Sequence, residues 1–296
     1  MKVDNIKKIL CIGSGTMGQQ IGLQCALNGY ETVIYSRQKA SLDKAMENIE
    51  RYLSQLTASN RVSVGKAEET LKRISMTNNE EEAAEEVDLV SESIPEDPEL
   101  KKQVFAKFNR ICPERTIFTT NTSTLLPSMF AEASGRPERF AALHFHSYVW
   151  NSTVVDIMSH PGTSEETMKL LQSFAVKIGQ IPIVITNESY NYVFNAMLSS
   201  LNKSAISLVV NGVTTVENVD RAWRGILKMP IGPFGMMDHV GLDTSWQITD
   251  YWANKLNDPE LYANAEFLKK YVDEGKLGVK SGQGFYKYRK VGQLSN

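Results

Sequence analysis

Three groups of residues have types and spacings that could do chemistry. The first is Gly13-Ser14-Gly15-Thr16-Met17-Gly18, which follows an apolar run at 9–12 directly and opens a helical pattern ending at Asn28-Gly29. In such a run the first glycine permits a tight turn and the second lets backbone approach a pyrophosphate. The third lets helix pack on strand, and the helix N-terminus faces the negative charge. A plain tight turn is the alternative, but the strand–turn–helix setting favours a bound dinucleotide. The second group is Ser36-Arg37, standing where such folds usually place an acid for the adenosine ribose diol. A neutral hydroxyl beside a guanidinium suits a 2′-phosphate better, which favours NADP(H) over NAD; otherwise Arg37 is a solvated surface residue. The third group is His144 and His146 on alternate positions of one run, with Asp156 twelve residues beyond His144. A carboxylate there can hold one imidazole nitrogen, favour the imidazolium form and leave the other nitrogen for a substrate. Alternate strand positions share a face, but the His pair shows no third ligand, so no metal is expected.

These residues need a scaffold. A chain of 296 residues allows two domains, and 42% hydrophobic with 22% charged residues excludes disordered, collagen-like and coiled-coil chains. The net charge of −2 makes no electrostatic case for nucleic acid or an anionic membrane. Cys11, Cys25 and Cys112 lack C-x-x-C spacing, so neither a disulfide scaffold nor a cysteine zinc site is expected. The apolar runs are too short to span a bilayer, and Lys7-Lys8 with the short run after it does not make a signal peptide. A soluble, cytoplasmic protein is expected.

Apolar runs at 9–12, 32–35, 88–90, 116–118, 140–145, 154–158 and 183–185 alternate with helical patterns. Runs buried on both faces and spaced by helices predict a Rossmann-type, doubly wound parallel sheet, hence an α/β domain. The stretches 41–56 and 65–74 predict a helical hairpin projecting from that sheet. The acidic run 80–86 reads as a solvated helix start. Beyond 187, Met197, Leu198, Leu201, Ala205, Leu208 and Val209 recur at helical spacing with no strand series. The expected division is a dinucleotide-binding domain over 1–187 and an all-α domain over 188–296.

Longer motifs carry a family resemblance. They are Asp88-Leu89-Val90-Ser91-Glu92-Ser93-Ile94-Pro95-Glu96, Asn121-Thr122-Ser123, Leu143-His144-Phe145 and Met229-Pro230-Ile231-Gly232-Pro233-Phe234. Asp238-His239-Val240-Gly241-Leu242-Asp243 and the glycine-rich stretch 275–286 follow. In this order they resemble the 3-hydroxyacyl-CoA dehydrogenase family, in its 3-hydroxybutyryl-CoA dehydrogenase-like form, over nearly the whole chain. The resemblance implies an NAD(P)-dependent oxidoreductase that interconverts 3-hydroxyacyl-CoA and 3-ketoacyl-CoA. His144 would be the general acid/base, paired with Asp156 where the family usually has Glu, and Ser123 and Asn195 would hydrogen-bond the substrate oxygen. The cofactor would meet Gly13, Gly15, Thr16, Met17, Gly18, Ser36, Arg37, Glu96, Lys101 and Asn121. A homodimer formed through the helical domain is also implied.

Each residue has a plainer role open to it: a structural His144, Ser123 capping a helix near Thr124, Asn195 bonding between helices. The resemblance also has departures. Residues 145–150 lack the family's Asn-Pro, Tyr190-Asn191-Tyr192 replace its Pro-Gly-Phe, and Ala196 replaces its Arg. These stretches look closest to the diketoreductase branch, which reduces β-keto or diketo esters. An L-gulonate-type dehydrogenase and a non-catalytic, crystallin-like protein also stay open. Lys44, Arg51, Arg61, Lys66, Lys72 and Arg73 on the hairpin would suit CoA phosphates, or simply a solvated helical surface.

Overall fold

Period-two burial builds the sheet. In β1 (Lys8–Ile12), Ile9 and Cys11 enter one apolar cluster while Leu10 and Ile12 enter another on the opposite face. A strand buried on both faces must be covered by helices on both sides, and the rest of the first unit supplies them. The computed structural model describes residues 2–288 and divides the chain into two units, Met1–Val193 and Phe194–Asn296. After β1 come α1 (Thr16–Leu27), β2 (Glu31–Tyr35), α2 (Lys39–Ala58), α3 (Val64–Lys72) and β3 (Ile74–Thr77). Next are α4 (Glu80–Ala84), β4 (Leu89–Glu92), α5 (Pro98–Ile111), β5 (Ile117–Thr120) and α6 (Ser128–Ala131). The first unit closes with β6 (Phe140–Phe145), β7 (Val154–Met158), α7 (Glu165–Lys177) and β8 (Ile181–Ile185).

The strand order is β3-β2-β1-β4-β5-β6-β7-β8. Every pairing is parallel except β6 with β7, which is antiparallel across a short connection. Successive strands are thus added outward on one side from β1 to β3 and on the other from β4 onward, and ligands bind at such a switch point between β1 and β4, beyond the strands' carboxyl ends. Phe105, Phe108, Phe130 and Phe140, all buried, fill one face; burying each contributes about 1.5–3 kcal/mol.

The hairpin forms, but it does not project. Leu42, Ala45, Ile49, Leu53 and Leu56 recur at three- and four-residue spacing along α2 and are buried, most of them in the cluster that holds Ile21 of α1 and Ile34 of β2. A helix with that much apolar face lies on its neighbours. Residue 74, expected to end the helix, instead starts β3, an edge strand too short to show alternation.

The second unit is helical: α8 (Phe194–Val210), α9 (Val216–Leu227), α10 (Pro233–Val240), α11 (Leu242–Leu256) and α12 (Pro259–Asp273). Its core joins Ala205, Ile206, Phe234, Met237, Leu242 and Leu268. Buried Asp238 ties down the glycine-rich stretch, its carboxylate accepting from Phe285 N–H at 2.9 Å, Tyr286 N–H at 3.0 Å and the Tyr288 hydroxyl at 2.8 Å. A Cβ on Gly284 would stand 2.0 Å from Asp238 Oδ1, which is why that position has no side chain. The division between units falls after 193 rather than 187. Residues 188–193 stay with the sheet because Glu188 accepts from Ser128 N–H at 2.7 Å and Tyr192 is buried beside Ala142 and Met158. Among the described residues no helix is long and apolar enough to cross a membrane.

Candidate active site

At the carboxyl end of β1 the chain turns through Gly13 with φ +112°, a conformation few residues but glycine accept. A Cβ there would lie 2.5 Å from Ser93 O, and one on Gly18 would lie 1.9 Å from Gly13 O. Gly15, which starts α1, has nothing within 4 Å of where its Cβ would be, so the helix N-terminus is open to a ligand. No acidic residue occupies the first turn of α1 to repel a phosphate.

A cavity of about 640 Å³ opens at this turn, lined at one end by Gly13 to Met17 and at the other by Tyr35, Ser36, Arg37, Glu80 and Lys107. Ser93 Oγ on its wall is buried and has no hydrogen-bond partner among the described residues. An open helix start, clefts where side chains cannot stand and an unsatisfied hydroxyl together fit a dinucleotide.

Glu80 was hidden in the acidic run. It is not merely solvated: it accepts from the Tyr35 hydroxyl at 2.6 Å and pairs with Lys107. Burial opposes its ionisation, but Lys107 and the Tyr35 hydroxyl outweigh it and hold the carboxyl below its usual range. Because this acid comes from α4 and not from the end of β2, the usual sequence interval could not reveal it.

The antiparallel register of β6 and β7 sets His144 directly opposite Asp156. Both are buried, and His144 Nδ1 lies 3.0 Å from Asp156 Oδ2. An ionised carboxylate only accepts, so Nδ1 carries the proton and donates it, leaving Nε2 for other work. His146 lies just past the strand end, and its Nε2 is 3.2 Å from the same Oδ2. Sequence spacing showed no third donor beside the histidine pair; strand register brings Asp156 there, and the His144, His146 and Asp156 donor atoms all lie within 4.8 Å of one another. Burial resists the charge on Asp156, yet the two imidazoles prevail and hold its carboxyl down at about 2.

The His144 ring packs between His146, centroids 4.7 Å apart, and Tyr192 at 5.0 Å. Tyr192 was not singled out for the site. It follows Asn191 through two consecutive left-handed conformations, φ +63° and +57°, which cost free energy without glycine. The departure at 190–192 was its only signal.

A second polar network joins the ends of β4 and β5. Glu92, fully buried, accepts from Lys101 Nζ at 2.6 Å, Ile94 N–H at 2.8 Å and the Thr120 hydroxyl at 2.6 Å. Glu96 accepts from the Thr122 hydroxyl, the Thr124 hydroxyl at 3.0 Å and Ser123 N–H at 3.3 Å, and lies 3.3 Å from Lys101 Nζ. Burial would raise the Glu96 carboxyl, but Lys101 and these hydroxyls outweigh it and keep it low. Half-buried Ser123 does not cap a helix, since α6 begins only at Ser128. Asn121 Oδ1 accepts from Phe145 N–H at 2.8 Å, bracing the end of β6 next to His144. Asn195 is the second residue of α8, half-buried in the second unit. Of the hairpin cations, Arg61 donates to Trp150 O at 2.6 Å and to Asn151, Arg73 pairs with Glu69, and Arg51 bonds Asn48.

A dinucleotide cradle at the switch point and a carboxylate-held imidazole in the same sheet are the parts of a Rossmann-type oxidoreductase that moves a hydride and a proton. The profile of the 3-hydroxyacyl-CoA dehydrogenase NAD binding domain matches residues 8–189, and that of the family's C-terminal domain matches 192–288. Mitochondrial hydroxyacyl-coenzyme A dehydrogenase of Sus scrofa is 32% identical over 96% of this chain and 92% of its own length. A probable 3-hydroxybutyryl-CoA dehydrogenase of Bacillus subtilis is 31% identical over 96% and 98%. A solved structure of a diketoreductase acting on dicarbonyl compounds superposes with a TM-score of 0.89 at 34% identity, covering 96% of this chain and 99% of that one. The chain belongs to the 3-hydroxyacyl-CoA dehydrogenase family.

Proposed function

We propose that this enzyme interconverts a 3-hydroxyacyl-CoA and the 3-ketoacyl-CoA, with His144 as general acid/base. The observation that carries the reading is the buried His144–Asp156 pair at 3.0 Å. Asp is one methylene shorter than the family's usual Glu, and direct opposition across β6 and β7 makes up the reach. A bound nicotinamide supplies the hydride exchange at the carbinol carbon. In oxidation His144 Nε2 takes the hydroxyl proton; in reduction it returns one to the ketone oxygen. Asp156 stabilises the imidazolium that forms in between. Ser123 hydrogen-bonds the substrate oxygen as charge develops on it. Gly13, Gly15, Thr16, Met17 and Gly18 hold the pyrophosphate end of the cofactor, and Glu96, Lys101 and Asn121 shape its nicotinamide side. This complete acid/base pair favours catalysis over a crystallin-like role.

The deciding experiment follows NADH and NADPH oxidation with acetoacetyl-CoA and, separately, with a β-diketo ester. Saturable turnover of the thioester supports the reading, and turnover of the ester alone replaces it with the second one. That second reading, a reductase of non-CoA dicarbonyls, draws on the loop after His144. There Trp150 packs on Tyr52 at 4.9 Å and on Tyr148 at 6.2 Å, an apolar wall suited to a substrate without CoA. The link from Arg61 to Trp150 and Asn151 also commits one hairpin cation to that wall rather than to a CoA phosphate.

The enzyme prefers NADP(H) in this reading. Arg37 is exposed on the cavity rim beside Ser36, and the nearby Glu80 carboxylate is already paired with Lys107. Arg37→Ala is expected to lower kcat/KM for NADPH by about tenfold or more while sparing NADH. A wild-type enzyme strict for NADH would sink this preference. The second unit forms a homodimer through its exposed apolar residues, among them Ile226, Leu227 and Met229. Light scattering should give twice the chain mass, and a monomer at micromolar concentration would count against it.

A further inference from the structure

His144, His146 and Asp156 form a donor set as well as a proton-handling pair. Two imidazoles and one carboxylate with an open fourth position are the ligands of a tetrahedral zinc site. Ligands about 2.0–2.1 Å from zinc stand roughly 3.3 Å from one another in a tetrahedron. Here the Nδ1–Oδ2 separation is 3.0 Å and the Nε2–Oδ2 separation 3.2 Å, with all three donor atoms within 4.8 Å. Two of the three ligands sit on paired strands of one sheet, so little ordering is left for an ion to impose. Entry is from the His146 side, whose side chain is 19% exposed against 6% for His144 and 2% for Asp156.

We propose that His144 Nδ1, His146 Nε2 and Asp156 Oδ2 bind one Zn²⁺ per chain, and that zinc bound there arrests proton transfer at His144. The proton balance is simple. Zinc takes the place of the proton on His144 Nδ1, that proton passes to solvent, Nε2 takes one up in its stead, and the ring stays neutral with its single proton on Nε2 and none released in net. An Nε2 that already carries a proton cannot accept one from a substrate hydroxyl, so alcohol oxidation stops. Binding rests on these three side chains alone. The arrest of turnover rests on the role proposed for His144.

The test uses the intact protein. Equilibrium dialysis at micromolar free Zn²⁺ should give one ion per chain, and Co²⁺ in its place should give visible d–d absorption. His146→Asn and His146→Ala should each weaken zinc binding by about tenfold or more. Both should also desensitise oxidation to zinc, measured against each variant's own zinc-free rate. Absence of stoichiometric binding overturns the proposal, as does equal affinity in wild type and both variants, which would put the ion elsewhere. Zinc bound through His146 while oxidation continues overturns the arrest. If the zinc-free enzyme turns over no substrate, the proposed reaction fails, while dialysis and the Co²⁺ spectrum still decide the metal site.

Discussion

His144→Gln is expected to lower kcat/KM for the 3-hydroxyacyl substrate by about 10³-fold, with NAD(P)H binding changed by less than about threefold. Glutamine is close to histidine in size and can still donate a hydrogen bond toward Asp156, so the strand pair stays in register. What it cannot do is exchange a proton near neutral pH. Loss of that capacity alone removes a factor of about 10²–10⁴. The check is steady-state turnover followed by NAD(P)H absorbance, alongside cofactor binding by fluorescence and circular dichroism of the variant. Turnover within tenfold of wild type would remove His144 from the chemistry.

Asp156→Asn is expected to cost nearly as much, for a different reason. The amide still bonds a ring nitrogen, but it offers His144 and His146 no charge. It can also donate to Nδ1 and drive the proton to Nε2, the wrong tautomer for accepting one. A drop of about 10²–10³-fold in kcat/KM should follow. Stability carries a second signature. Because the folded carboxyl sits at about 2, below its ordinary 3.8, the ionised form is favoured by folding. Its contribution, about 2 kcal/mol, is complete above the unfolded value and is lost as pH falls from about 3.8 toward 2. Melting temperatures of wild type and Asp156→Asn should therefore differ most at neutral pH and converge near pH 2. A constant gap across that range would mean the carboxylate charge does not matter to the fold. Asp156 is also ionised throughout the working range, so the acid limb of the rate profile belongs to another group.

How much of this was legible depended on whether a feature is local in sequence. The glycine turn is written in consecutive residues, because each glycine answers to a clash within a few ångströms, as Gly13 does with Ser93 O at 2.5 Å. The strands buried on both faces could be read from apolar runs. Edge strand β3 could not, since four residues with a burial pattern of one buried, two not and one buried resemble a helix end. His144 with Asp156 was readable because a short connection brings the next strand back antiparallel. That His146 shares the same oxygen needed the actual register and side-chain reach. Glu80 and Tyr192 enter from separate elements, α4 and the segment after β8, so no fixed spacing announces them. Asn121, expected to meet the cofactor, makes its observed bond to Phe145 N–H, a contact that no spacing in the sequence announces.

The strand pair that holds His144 and Asp156 has an evolutionary meaning. Their separation is set by backbone hydrogen bonds between neighbouring strands, a lattice that changes in the flanking loops leave untouched. The aromatic loop braced by Arg61 and the segment carrying Tyr192 lie outside those strands, at 146–153 and 186–193. New substrates can thus be tried by rewriting loop residues other than His146 and Tyr192, which touch the His144 ring, one substitution at a time, while the strand pair stays in register. The residues that face one another across the strand pair and those that shape the loops thus occupy separate stretches of chain.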